Sequence, residues 1–121
     1  MKAFLIDPAE LDVTEIVIDD WRGITSAIGE KCQCFTVVPT RSLGNNDTIY
    51  VDDEGLINRT FNEVGGFEVD DYPNPLVGRG VVLGVDRGTG DSVDATTTRE
   101  EILSKVNFIP ANSYGFKIRH A

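Results

Sequence analysis

The sequence predicts a single acidic α+β domain over residues 1–121, mostly antiparallel β-sheet with two or more short helices packed on it. A chain of 121 residues is long enough for one hydrophobic core and too short for a second independent one. Its hydrophobic content of 40% is that of a globular protein. Short β-branched runs, separated by Gly, Pro, Asn and Asp, favour strands over long helices.

Runs of β-branched residues predict the strands, and proline and glycine mark several of their ends. The predicted strands are Lys2 to Ile6, Thr14 to Ile18, Gln33 to Val38, Thr48 to Val51, Val81 to Leu83, Ser92-Val93 and, as the last strand, Tyr114 to Arg119. Leu56 to Val64 is expected to pair back on the fourth of these strands as a hairpin. An ordered loop is expected around Gly65 to Pro75, where turn-forming residues are frequent.

Two segments carry the signals of short helices. Asp19-Asp20 can cap the first helix, and Gly29 is its natural end. One face of that helix is predicted to hold Trp21, Ile24 and Ile28, with Trp21 in the core. Thr98 to Glu101 has the spacing of a capping box for the second helix. The buried face of that helix is predicted to hold Ile102, Leu103 and Val106.

The glycine-rich stretch VGRGVVLGVDRGTGDSVD, residues 77–94, invites a search for a phosphate-binding loop. A dinucleotide fingerprint would require glycine where Leu83 stands, and no glycine precedes the lysine and hydroxyl pair of a P-loop. Val85 to Gly90 resembles the phosphate hairpin of actin-like and sugar-kinase ATPases, but that fold clasps nucleotide between two domains. The glycines therefore predict a β-hairpin, connected by Asp86 to Asp91.

Neither a catalytic group nor a metal site is predicted. The one histidine, His120, lies next to the C-terminus, where a base for a serine or cysteine nucleophile would be poorly fixed. Cys32 and Cys34 stand one residue apart and are interpreted as small packed hydrophobes on one face of a strand. The aspartate clusters do not follow the calcium-loop pattern. We expect no cofactor and no enzymatic activity.

Charge is distributed unevenly along the chain, whose formal net charge is -9. Ser42 to Gly78 contains eight acids against one base, whereas the segment after Glu101 contains Lys105, Lys117 and Arg119 and no acid. Such an acidic protein is repelled by phosphate backbones, which disfavours direct binding to nucleic acid. A secretory signal pattern and a membrane-length apolar run are both missing, so a cytoplasmic location is expected and no membrane association.

Three segments together resemble a known family. They are MKAFLIDP at the start, IYVDDEGLIN in the middle, and YPNPLVGRGVVLGVDRGTGDSVD. The sequence is similar in them to a small family of domains of unknown function, DUF3846, found in bacteriophages, plasmids and bacterial genomes. The resemblance extends to Asp94 and does not include the segment from Ala95 onward. It implies an accessory protein of a mobile element in the cytosol of a bacterial host, and it implies no functional residues.

The leading hypothesis is a non-enzymatic binding protein whose acidic surface occupies a basic site on a host protein, for example a defence or nucleic-acid enzyme. The residues proposed to bind the partner are Asp52, Asp53, Glu54, Asp70 and Asp71. An alternative is a binder of a small nucleotide-like molecule, since arginines and glycine-rich backbone bind phosphate well. The residues of that alternative are Arg79, Gly80, Arg87, Gly88 and Thr89. A structural or assembly protein is a third possibility.

Overall fold

The computed structural model describes residues 1–29, 32, 34–38, 43, 46–53, 61–113 and 116–119, within which the chain forms ten strands and three helices. The strands are β1 (Lys2–Asp7), β2 (Asp12–Val17), β3 (Phe35–Val38), β4 (Asp47–Asp52), β5 (Gly66–Val69), β6 (Leu76–Val77), β7 (Gly80–Val85), β8 (Ser92–Val93), β9 (Val106–Ile109) and β10 (Ile118–Arg119). The helices are α1 (Trp21–Ile28), α2 (Phe61–Val64) and α3 (Arg99–Lys105).

The strands form two sheets in which every pair is antiparallel. The first sheet has the order β2-β1-β7-β4-β3, and β8 pairs with β7 alongside the end of β1. The second sheet has the order β10-β9-β5-β6. The predicted α+β fold with a mostly antiparallel sheet is confirmed. The predicted hairpin in the glycine-rich stretch is also confirmed, because β7 and β8 pair on either side of the turn from Asp86 to Asp91.

Both faces of the first sheet are covered, because side chains alternate along its strands. Ala3, Val81 and Leu83 pack against Ile24 and Ile28 of α1. The opposite face packs against the second sheet and α3, and the larger core cluster forms there. That cluster contains Phe4, Ile6, Val13, Val38, Leu43, Ile49, Val51, Phe67, Val69, Val82, Ala95, Ile102, Leu103, Val106 and Phe108. The protein is therefore built in three layers, with the first sheet in the middle.

The two sheets approach closely at Gly80, the first residue of the central strand β7. A Cβ atom at this position would lie 2.6 Å from Cζ of Phe67 in β5, well inside van der Waals contact. Phe67 itself is fully buried. Gly80 thus provides the space for the aromatic ring that joins the sheets, so its lack of a side chain has a packing role.

The two helices that the sequence predicts, α1 and α3, are capped as expected. The Asp20 carboxylate accepts from the Arg22 amide at 2.9 Å, and the Gly29 amide at the other end of α1 donates to the Thr25 carbonyl at 3.1 Å. The Thr98 hydroxyl accepts from the Glu101 amide at 3.2 Å, which fixes the start of α3.

The prediction that Trp21 lies in the core is wrong, since 60% of this residue is exposed. It shares the angular position of Ile24 and Ile28, which are buried. However, Trp21 is the first residue of α1, which leaves the edge strand β2 and then packs over β7 and β4. The first helical turn therefore lies beyond the strands that the rest of the helix covers.

Several other predictions are corrected by the structure. Leu56 to Val64 does not pair with β4 as a hairpin arm, because both edges of β4 are occupied by β3 and β7. Residues 54–60 lie outside the described residues, and Phe61–Val64 forms one turn of helix. The expected loop around Gly65 to Pro75 contains strand β5, which follows Gly65, precedes Asp70-Asp71 and pairs with β9. Cys32 is buried as expected, but Cys34 is exposed, so the two thiols do not share an environment.

Candidate functional site

The most distinctive surface lies where β2 passes into α1, and we call its residues Asp19, Asp20 and Trp21 the acidic tryptophan patch. Trp21 is 60% exposed. Both aspartates are exposed as well. Single apolar residues on a surface are ordinary, but tryptophan is enriched among the residues that dominate interface energies, which makes this solvated tryptophan beside two acids a candidate interaction site.

The fold holds this patch in place from both sides. Ile18, directly before the patch, is 2% exposed, and its amide donates to the Met1 carbonyl at 2.9 Å. On the other side the Asp20 carboxylate caps α1. The Arg22 guanidinium lies 5.7 Å from the centre of the Trp21 ring and 3.9 Å from the Asp20 carboxylate. Arg22 therefore offsets part of the negative charge and leaves Asp19 as the free acid of the patch.

Four of the five predicted partner-binding acids are among the described residues, and they divide between the ends of β4 and β5, which belong to different sheets. Asp52 is only 7% exposed at the end of β4, and Asp53 beside it is exposed. Glu54 lies outside the described residues. Asp70 and Asp71 are exposed but follow β5 in the other sheet. Asp70 also pairs with Arg119, its carboxylate lying 2.7 Å from a guanidinium nitrogen. The acidic run is thus a feature of the sequence more than of one face.

The basic end of the chain pairs with this acidic middle. Lys117 lies with its ammonium 3.0 Å from the Glu68 carboxylate, and Arg119 also donates to the Asn107 side chain at 2.9 Å and to the Ser104 carbonyl. The hydrogen bond from Asn107 to Glu68, at 3.0 Å, lowers the pKa of Glu68 below its usual value, and Lys117 lowers it further, while partial burial opposes both effects. Two acids of the run, Glu68 and Asp70, are therefore paired with the basic end across the second sheet.

The residues of the small-molecule alternative are divided between the two ends of β7. Arg79 precedes the strand, lies 3.6 Å from the Asp7 carboxylate and donates to the Ala27 carbonyl of α1 at 3.5 Å. Arg87, Gly88 and Thr89 lie in the exposed turn after the strand. The six residues of β7 separate the two groups by about 20 Å. They do not form one phosphate-binding loop.

Asp47 is a buried carboxylate that the sequence analysis did not single out. It is 4% exposed and accepts from the backbone amides of Thr96 and Thr97, at 3.0 and 2.8 Å, as well as from both threonine hydroxyls. These bonds tie the start of β4 to the segment that leads into α3. The sequence signal is the run Thr96-Thr97-Thr98, whose small hydroxyls can cluster around an acid. Asp47 has its acceptor capacity occupied and a structural role.

A shallow cleft of about 410 Å³ lies beside the edge strand β2. It is lined by basic and acidic side chains, including Lys2, Glu15, Arg99 and Glu100. Arg99 is engaged elsewhere, because it donates to the Val13 carbonyl at 2.8 Å and pairs with Asp12. The mixed charge gives the cleft no clear preference for an anion.

No group of three or more His, Cys, Asp or Glu side chains that would hold a metal ion occurs among the described residues. The helices within those residues are all too short or too polar to cross a bilayer. The missed element is therefore the acidic tryptophan patch. Its sequence signal is a tryptophan placed directly after a helix cap and four residues after the last residue of an edge strand.

The model of one protein family matches residues 1–107 of the 121-residue chain, and the family is described as a domain of unknown function, DUF3846. The match extends past Asp94, where the sequence resemblance ends, and includes all of α3. Comparison with curated proteins and with solved structures finds no match.

Proposed function

The chain belongs to the DUF3846 family of domains of unknown function, and we propose that it is a non-enzymatic binding protein that captures a basic protein of a bacterial host. The observation that supports this proposal is the acidic tryptophan patch. A tryptophan that is 60% exposed on a folded surface leaves a large apolar ring in water. Burial of that ring against a partner is favourable, and tryptophan is enriched among the residues that dominate interface energies.

The charge of the protein indicates the chemistry of the partner. With a net charge of -9, the protein attracts basic surfaces at long range and repels acidic ones. Proteins that bind nucleic acid present basic surfaces, so an acidic protein of a mobile element is well suited to occupy such a surface on a host enzyme. In this proposal the exposed Asp19 and Asp20 contact the partner. Asp52 is buried, and Asp70 lies 2.7 Å from Arg119, a closer ion pair than the 3.9 Å between Asp20 and Arg22.

The first experiment is capture from bacterial lysate with the immobilised protein at low and high salt, with the retained proteins identified. We expect a basic protein to be held at low salt and released at high salt, because exposed charge pairs are screened. The informative variant is Asp19→Asn with Asp20→Asn, in which asparagine preserves the helix cap while both charges are removed. We expect this double variant to lose the captured protein.

The matched control removes the same number of charges elsewhere. Asp86→Asn with Asp91→Asn changes two exposed aspartates in the β7–β8 turn, and asparagine can still accept the 2.8 Å hydrogen bond that Asp86 receives from the Gly88 amide. This control is expected to capture the same protein as the wild type. Equal loss in both double variants would show that only total charge matters and would contradict the assigned surface. No retention by the wild type would refute the proposal.

A further inference from the structure

The hydrogen-bond pattern between β1 and β2 shows which backbone groups of β2 point away from the sheet. Met1 and Ile18 exchange two hydrogen bonds. The amino group of Met1 donates to the Ile18 carbonyl at 2.6 Å, and the Ile18 amide donates to the Met1 carbonyl at 2.9 Å. In an antiparallel pair, residues that exchange bonds alternate with residues whose groups point outward. With Lys2 opposite Val17, the outward residues of β2 are Val13, Glu15 and Val17.

The first of these three residues is covered by side chains. The Val13 amide donates to the Asp12 carboxylate at 2.8 Å, and the Val13 carbonyl accepts from Arg99 at 2.8 Å. Arg99 also pairs with Asp12, so the two side chains together close this end of the strand. Such covering is one of the devices by which proteins prevent unwanted strand pairing at a sheet edge.

The other two residues lack that cover. Strand β2 is at the end of the first sheet, and among the described residues no recorded backbone bond reaches the outward groups of Glu15 or Val17. Two amides and two carbonyls therefore face outward in line, directly before the acidic tryptophan patch. An edge that is closed at one end and open at the other restricts pairing to a short segment at a defined position.

We propose that this open half of β2 is a strand-addition site for an extended basic segment of the partner, which pairs antiparallel with Glu15 and Val17. The inference rests on the proposed function and specifies how the partner is held. Residues opposite Glu15 and Val17 would direct their side chains to the same face as Glu15. Glu15 and Glu100 line a cleft on that face together with Lys2 and Arg99. Because Arg99 is paired with Asp12 and the protein carries a net charge of -9, the balance of charge favours lysine or arginine in the added segment. An acidic segment, including a second copy of β2, would place like charges together.

Binding can be followed by the fluorescence of the protein's single tryptophan, Trp21, which lies four residues after Val17. The probe is an acetylated and amidated heptapeptide in which lysine alternates with threonine, with lysine at the odd positions. In the proposed pairing the lysine amides face β2 and the threonine amides face away. We therefore expect N-methylation of the lysine amides to weaken binding at least about tenfold, since it removes the bonding hydrogens. N-methylation of the threonine amides should leave binding unchanged.

A variant tests the same contact from the side of the protein. Val17→Pro removes the outward amide of Val17 and retains the β1–β2 bonds, because proline is accepted on an edge strand where its nitrogen faces solvent. We expect about tenfold weaker binding of the unmethylated peptide. Val17→Thr keeps the amide and changes only the side chain, so a loss of binding in Val17→Pro beyond that of Val17→Thr reports the missing amide. Circular dichroism and the unfolding midpoint report whether each variant is folded, and the methylated peptides test the wild type independently of them.

The outcomes separate this inference from the proposed function. If the wild type binds the peptide in a salt-dependent way, but both methylated peptides and Val17→Pro bind equally well, the acidic capture stands and strand addition is refuted. If the Asp19→Asn and Asp20→Asn double variant captures host protein as well as the wild type does, while the methylation pattern holds, the edge binds but the proposed surface is wrong. If the wild type does not bind the peptide, strand addition by a basic segment is refuted.

Discussion

Asp47→Asn is expected to destabilise the protein by about 2–4 kcal/mol, because the carboxylate is enclosed by four hydrogen-bond donors. Asparagine keeps one oxygen and replaces the other with an amino group, which cannot accept. The threonine hydroxyls can rotate to adapt, but a backbone amide cannot. The backbone amide of Thr96 or Thr97 then faces the amino group of the asparagine, and this buried donor without an acceptor costs about 1–3 kcal/mol. The hydrogen bonds that remain are weaker because their acceptor no longer carries a charge.

The measurement is urea unfolding followed by far-ultraviolet circular dichroism, with the free energy and the slope fitted for each variant. Asp53→Asn is the control, because it makes the same chemical change at an exposed position and should stay within about 0.5 kcal/mol of the wild type. Thr97→Val removes one donor of a residue that is 1% exposed, and its effect should not add fully to that of Asp47→Asn. A free energy of unfolding for Asp47→Asn within about 0.5 kcal/mol of the wild type would refute the structural role assigned to the Asp47 carboxylate.

Three further predictions concern other parts of the fold. Gly80→Ala should cost about 1–3 kcal/mol in urea unfolding, because its Cβ atom would lie 2.6 Å from the Phe67 ring, and an unchanged midpoint would contradict the close approach of the sheets. Since the pKa of Glu68 is lowered, Glu68→Gln should reduce the free energy of unfolding at neutral pH, and the gap to the wild type should close as pH falls below the ordinary value of 4.5. A gap that grew on acidification would contradict the assigned ion pairs. Trp21 fluorescence should be quenched readily by acrylamide and by caesium but less by iodide, which the acidic surface repels; equal quenching by both ions would argue against the patch.

Local sequence signals predicted much of the fold. Asp20 and Thr98 have short polar side chains that satisfy free amides at helix starts, and the structure contains both caps. Gly29 likewise ends α1. The β7–β8 hairpin follows from the turn residues between Asp86 and Asp91. Each of these signals depends on contacts within a few residues, which a single sequence contains in full.

The predictions that failed concern contacts between distant parts of the chain. Strand β5 is short and its neighbours resemble a loop, so only its pairing with β9 makes it a strand. The helical period of Trp21 matches Ile24, but burial also depends on how far the sheet extends beneath the helix. The pairing of Asp70 with Arg119 joins residues far apart in sequence. For the same reason, acids that are neighbours in the sequence did not define a surface.

The position of β7 has a consequence for how the chain is made. This strand separates β1 from β4 in the first sheet, yet it begins at Gly80, after both of them. Strands β1 and β2, and likewise β3 and β4, are neighbours in sequence and can pair as soon as they leave the ribosome. Translation at about 5–20 residues per second then leaves the edges of β1 and β4 without their shared partner for a time on the order of seconds. During that interval the nascent chain exposes two unpaired strand edges, which are the kind of surface on which unwanted strand pairing begins.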